Sequence, residues 1–252
     1  MENNKIIIPA IIALGLIIST WILGSAFKNR NATEDSISVV GLGSKDFISD
    51  EISWSGEFST HAADAKTAYS IINTDKEKVK QFFLSKGFST NEFSFGGVNF
   101  SKSFRTITIE NNGNYEKTES IFDGYNATQT VTFSSKKNPE LMKKIENIID
   151  KTSELINSGI EFNPNAVQYT YSDLPSLKHS LIEKASQDAR ERAQKITGTA
   201  KGSLGKLKNA SMGVFQITGQ GSVEEDSYGG NLDTYSKAKT ARITVRLEYQ
   251  LD

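Results

Sequence analysis

Residues 240–251 alternate without a break: Ala241, Ile243, Val245, Leu247, Tyr249 and Leu251 on one side, Thr240, Arg242, Thr244, Arg246, Glu248 and Gln250 on the other. Period two predicts a strand with one core face and one face toward solvent or a partner. Glu51 to Ser59 repeats the pattern, with Ile52, Trp54, Gly56 and Phe58 sharing the apolar side. Ile37, Val39 and Gly41-Leu42-Gly43 precede it and predict a hairpin partner that turns near Ser44-Lys45-Asp46. Further strands are expected near 92–95, 103–110 and 124–134, from Ile160 to Tyr171, and near Met212 to Thr218. Asn111-Asn112-Gly113-Asn114 is a turn by composition.

Three segments carry helical spacing instead. Ala65, Ala68, Tyr69, Ile72, Val79, Phe82 and Phe83 mark one from about Ala62 to Lys86, closed by Gly87 and with a possible interruption at Asn73-Thr74-Asp75. Asn138-Pro139 opens a second, with Leu141, Ile145, Ile148, Ile149, Thr152 and Leu155 as its stripe and Ser158-Gly159 as its end. Leu177, Leu181, Ala185, Ala189, Ala193 and Ile196 define a third, and its alanines let the backbone approach a sheet closely. Gly198, Gly202 and Gly205 mark its exit.

Ile6 to Leu23 differs from all of these, being 18 residues with no charge. As a helix it is about 27 Å long, and Gly24 to Phe27 extend it to roughly 33 Å, enough for a hydrocarbon core of about 30 Å. A cleaved signal peptide has an apolar region of only about 7–15 residues, so an uncleaved anchor is expected, although Gly24-Ser25-Ala26 offers a cleavage-like site. Lys5 precedes the segment while Lys28 and Arg30 follow it, a bias that slightly opposes export of the body. Long domains translocate largely regardless of charge, so the N-terminus is expected inside and the body outside. The expected organisation is an anchor over 1–27, a polar tether over 28–35 and a folded body over 36–252. The fold class is α+β: a mostly antiparallel sheet with about three helices packed on it, preceded by one N-terminal transmembrane helix.

Composition narrows the function classes. Net charge is −1, so no basic field points to nucleic acid. The chain has no cysteine, hence no disulfide and no lipid-attachment cysteine. His61 and His179 are the only histidines, and neither lies in a short-spaced cluster of metal ligands, although Asp64 is near His61. A Ser-His-Asp triad is recognised by geometry, but no G-x-S-x-G surrounds any serine. Gly41-Leu42-Gly43 lacks the third glycine of a dinucleotide fingerprint and reads as hairpin geometry. Glu224-Glu225-Asp226 with Asp233 does not fit an EF-hand loop and reads as a solvated loop. Lys184, Arg190, Arg192, Lys195, Lys201, Lys206 and Lys208 make one region basic; Glu183, Asp188 and Glu191 make it a solvated face, with an anionic lipid surface as the alternative. Arg242 and Arg246 with Glu248 read as solvent-facing or as a subunit seam. The residues therefore name no catalytic, cofactor or metal site.

Several motifs together resemble SIMPL-domain proteins. They are Val39-Val40-Gly41-Leu42-Gly43 before the strand with Trp54, Gly124-Tyr125-Asn126-Ala127 before Val131-Thr132-Phe133, and Gly159-Ile160-Glu161-Phe162. The helix with Ala185, Asp188-Ala189-Arg190 and Ala193, then Gly202-Ser203-Leu204-Gly205 and the terminal strand, complete the order from Ser36 to Asp252. The resemblance implies a bacterial envelope protein, often periplasmic, with an α+β fold. Some relatives are linked to oxidative-stress defence, and at least one type forms a large ring-like oligomer. It implies no catalytic residues.

The expected function is thus a non-catalytic protein of the inner membrane, single-pass, with its C-terminal body in the periplasm or outside the cytoplasm. A homo-oligomer is expected, with the membrane as a partner, no nucleic acid, and an unnamed protein partner. The alternatives are an extracytoplasmic hydrolase with an unrecognised site and a small-ligand binder.

Overall fold

The computed structural model describes residues 13–25, 35–111, 115–222 and 229–251. A helix, α1, covers residues 13–25. Among the described residues no helix is long and apolar enough to cross a membrane. The rest of the expected anchor (1–12 and 26–27), most of the tether (28–34), the turn at 112–114 and the acidic run 224–226 lie outside the described residues.

From Asp35 onward the order is β1 (Ser36–Ile48), β2 (Glu51–Ala62), α2 (Ala65–Ser85), β3 (Phe93–Phe95), β4 (Asn99–Asn111), β5 (Tyr115–Ser134), α3 (Pro139–Ile149), a 3-10 helix (Asp150–Ser158), β6 (Phe162–Pro164), β7 (Gln168–Thr170), α4 (Leu174–Thr199), β8 (Leu204–Met212), β9 (Gln216–Gly219) and β10 (Ala238–Leu251). The α+β class with antiparallel pairing is as expected, but the strands form two sheets rather than one. The chain divides into two compact units, one of residues 1–43, 182–213 and 243–252, the other of 44–181 and 214–242. Elements β1, α4 and β10 contribute residues to both.

The larger unit is built on β2 and β5, which pair antiparallel from Ser53↔Ser134 to Ala62↔Tyr125. The expected inward face of β2 is buried as Ile52, Trp54 and Phe58. Gly56 belongs to that face because the Phe162 ring occupies the space a side chain would need. Helix α2 starts where the Asp64 carboxylate accepts the Thr67 amide at 3.0 Å. It runs through Asn73-Thr74-Asp75 without the expected interruption. Thr74 donates its hydroxyl to the Ser70 carbonyl, and the buried Asp75 carboxylate takes Lys78 Nζ at 3.1 Å, so both polar groups are satisfied inside the helix. The Asn138 side chain caps α3 by accepting from Glu140 and Leu141.

Four expectations are corrected. β1 is not the hairpin partner of β2; it pairs with β10 in the other sheet, and the turn falls at Ser49-Asp50. The polar run Ser44-Lys45-Asp46 continues the strand, and Asp46 accepts from Thr240 of β10 at 2.7 Å. The span Ile160 to Tyr171 is two short strands, β6 and β7, both on β2, broken after Pro164, whose ring removes a ladder donor. The strand expected near Met212 to Thr218 is only β9, and Gly213, Val214 and Phe215 separate it from β8, which was not expected. The second helix finishes as a 3-10 turn rather than α-helix.

Candidate functional site

In the smaller unit, α4 places Ala185, Ala189 and Ala193 on one stripe, all fully buried. A Cβ on Gly41 of β1 would overlap the Ala185 carbonyl oxygen and the Ala189 amide nitrogen. Gly41 is therefore a close-approach glycine, not part of a hairpin turn as its motif suggested. Asp188 locks the same contact: its carboxylate accepts the Leu42 amide at 2.8 Å and Arg192 Nε at 2.9 Å. Those two bonds hold its pKa below the ordinary carboxylate value.

The neighbouring stripe of α4 faces a groove. Ile182, Ser186 and Arg190 form one wall with Gln187; Leu207, Ala210, Ser211 and Met212 of β8 form the other. Val245, Leu247 and Tyr249 of β10 make the floor, set by the registers Val245↔Met212 and Leu247↔Ala210. Its volume is about 570 Å³, within the range of ligand-sized pockets. The lining contains one charge, Arg190, and neither histidine nor carboxylate. Two serines are present without a histidine or carboxylate in the lining, and most of the remaining lining residues are apolar.

A second surface belongs to the larger unit. β4 and β5 pair far beyond the rest of their sheet, from Phe104↔Phe122 to Asn111↔Tyr115. At about 3.3 Å per residue this two-stranded arm projects about 26 Å. A register break between Ser103 and Phe104 marks its root. Phe104 and Phe122 stack edge-on at 5.9 Å, yet remain 56% and 46% exposed.

The residues singled out for chemistry are not gathered. His61 lies near the end of β2, exposed, with Nε2 3.9 Å from Asp123 Oδ2, while Asp123 Oδ1 lies 3.7 Å from Arg105 Nε. His179 is exposed on α4. Asp64 is a helix cap, its pKa lowered by the Thr67 bonds. Asp233 folds its own loop, accepting from the Tyr235 and Ser236 amides. Among the basic residues, Arg190 reaches the groove and Arg192 is committed to Asp188. Glu248 accepts from Ser36 at 2.7 Å, and Arg246 sits opposite Ser211 in the β10–β8 ladder. Among the described residues no group of three or more potential metal ligands occurs.

One buried group escaped the sequence reading. Lys239 is 3% exposed, and its ammonium donates to the carbonyls of Tyr169 and Asp233. Burial pushes its pKa down, opposed by the Asp233 charge. The signal was present: Lys239 has the parity of Ala241 and Ile243, so a continued alternation points it inward. Beside it, the Tyr169 hydroxyl donates to Glu146 at 3.1 Å, and Glu146 also holds Lys237 at 2.8 Å. Burial first, then the Glu146 charge, raises the Tyr169 pKa to about 12. A tyrosine whose folded pKa exceeds its unfolded value near 10 favours the folded state fully below pH 10 and loses that contribution between 10 and about 12. Urea titrations at pH 9 and pH 11.5 should show a loss of stability in the native protein that Tyr169→Phe reduces. An equal loss in both would show that Tyr169 does not titrate this way.

The match to known families covers both units. The family model SIMPL, described as a protein of unknown function (DUF541), matches residues 37–249. The chain belongs to the SIMPL family. The SIMPL match begins within β1 and ends within β10, so it takes in both the groove and the arm. No curated protein matches the chain. Within this SIMPL domain the groove exposes Leu207 and Met212 and the arm exposes Phe104 and Phe122, and the order of motifs that pointed to the family spans both.

Proposed function

We propose that this SIMPL protein is a non-catalytic, self-associating protein of the cell envelope, held at the inner membrane by residues 6–27 with its body outside the cytoplasm. The observation that carries the binding role is the groove: about 570 Å³, walled by Ile182, Leu207 and Met212, with no acid–base pair in its lining. Exposed apolar surface of this kind is normally covered by a partner. The uncharged run Ile6 to Leu23 supports the anchor, and its described part, 13–23, belongs to the helix over 13–25. A role in envelope or oxidative-stress defence follows from the resemblance alone. A second reading, a small-ligand binder, rests on the same groove volume.

Light scattering coupled to size exclusion, on the full-length protein in a mild detergent, is expected to give a multiple of 27.7 kDa after subtraction of the detergent. A strict monomer at the highest soluble concentration would remove the self-association reading. A monomer whose melting temperature rises with added apolar small molecules would shift the assignment to ligand binding.

A further inference from the structure

Lys239 is a buried cation with more donors than the protein uses. An ammonium has three N–H groups. Two go to the carbonyls of Tyr169 and Asp233, and among the described residues the third has no acceptor. The Asp233 carboxylate does not supply one, because it accepts from the amides of Tyr235 and Ser236 in its own loop. Burial outweighs the Asp233 charge and pushes the Lys239 pKa down, as befits a cation short of counter-charge. A buried donor without a partner is costly, so an acceptor brought from outside would be held there.

A cavity of about 70 Å³ adjoins this group. Lys239 lines it, together with the two residues whose carbonyls it holds. The rest of the lining is mostly apolar: Phe47, Tyr171, Leu174, Ile217 and Leu232. Phe47 and Tyr171 meet edge-on at 5.0 Å and make one wall. The Tyr169 hydroxyl is already engaged by Glu146. All of these lining residues belong to the larger unit. One water takes about 10–15 Å³ of such volume, so there is room for about five groups of that size.

Size, polarity and charge select the occupant. Water alone would satisfy the N–H but gain nothing from the apolar walls. Chloride would accept one bond and leave the same walls uncovered. Sulfate would need several donors and would bring a second negative charge beside Asp233. A short carboxylate places an oxygen on the ammonium, a charge-assisted bond, and its carbons on the apolar walls.

We infer that the cavity beside Lys239 binds a monocarboxylate of about the size of propionate, with the carboxylate on the third N–H of Lys239 and the carbon chain among Phe47, Leu174 and Ile217. This site is separate from the α4–β8 groove and does not depend on self-association.

The test uses the full-length protein in a mild detergent at fixed ionic strength and propionate labelled at its carboxyl carbon. A ligand this small is expected to bind with a dissociation constant of about 1 mM. Its carboxyl resonance should broaden with the protein present and sharpen again with unlabelled propionate. Acetate should compete about fourfold less well, having one fewer buried methylene, and sulfate should not compete. Lys239→Met should weaken binding at least about tenfold. Leu174→Phe keeps the ammonium and both carbonyls, fills the cavity from a half-buried position, and should weaken binding as much with the melting curve of the parent. It decides the matter where Lys239→Met does not fold. A line that stays narrow with the folded parent would leave the cavity to water and overturn the assignment. Undiminished broadening in either folded variant would place the binding elsewhere and overturn it too. Competition by sulfate as strong as by propionate would replace the carboxylate site by a general anion site.

Discussion

Phe83→Ala is expected to destabilise the larger unit by about 3–5 kcal/mol, the range for emptying a fully buried aromatic site. Phe83 is 0% exposed on α2 and touches Trp54, Phe82, Phe88, Phe93, Phe133 and Phe162. Its ring lies 4.7 Å from that of Phe133 on β5 and 6.5 Å from Trp54 on β2, so one side chain joins the helix to two strands. The hole left by alanine is walled by other rings, which are too rigid to collapse into it. Phe83→Leu keeps much of the volume and should cost about 1–2 kcal/mol. Urea titration followed by Trp54 fluorescence reads this, with Trp21→Phe removing the only other tryptophan. An alanine variant within about 1 kcal/mol of the parent would mean that the aromatic cluster does not organise this unit.

Gly41→Val should be the most damaging change in the smaller unit, at about 3 kcal/mol, the upper end of overpacking costs. The atoms in the way are the Ala185 carbonyl oxygen and the Ala189 amide nitrogen, part of the α4 backbone itself. A flexible side chain could rotate aside; a hydrogen-bonded helix backbone has to move as a body. The displacement would also pull Asp188 from the Leu42 amide. Even Gly41→Ala should lower the urea midpoint measured by far-ultraviolet circular dichroism. Gly97→Ala, which would meet nothing within 4 Å, should stay within about 0.5 kcal/mol. Equal effects at the two glycines would show that helix–strand contact at Gly41 is not what restricts it.

The two predictions differ in how far they could be read in advance. Phe83 was legible as a core residue, because α2 repeats apolar positions at helical spacing and β2 alternates cleanly. Gly41 was visible, but its reason was not. The glycine and the alanine stripe of α4 are about 144 residues apart, and either motif is common by itself. A GxG followed by the polar Ser44-Lys45-Asp46 reads locally as a strand running into a hairpin turn, which would pair β1 with β2. The register of β1 is instead decided by the helix that presses on Gly41 and by β10, where Asp46 meets Thr240.

The candidate site shows the same division. Its floor, Val245, Leu247 and Tyr249, follows from strict alternation in the terminal strand. Its far wall, β8, went unrecognised because Lys206, Asn209 and Ser211 break any apolar period, as befits a strand whose residues 206–212 are exposed. The arm was expected only as two ordinary strands. Nothing in Ser103 to Glu110 or Gly124 to Ser134 reveals that beyond Phe122 the ribbon loses its neighbours. The two histidines, the most chemically suggestive residues of the sequence, end on exposed positions away from the groove lining.

What the chain determines locally is therefore each element and its inward face: period two in β2 and β10, period 3.6 in α2, α3 and α4, the caps at Asp64 and Asn138, and the uncharged run at the start. These depend on neighbours within a few residues, so the order of amino acids carries them in full. What only the tertiary structure decided is partnership: which sheet receives β1, why position 41 excludes a side chain, where Lys239 discharges its hydrogen bonds, and how an apolar groove opens between α4 and β8. Those outcomes depend on which distant surfaces fill each other's volume. Many chain segments satisfy the same local pattern, and close packing selects among them.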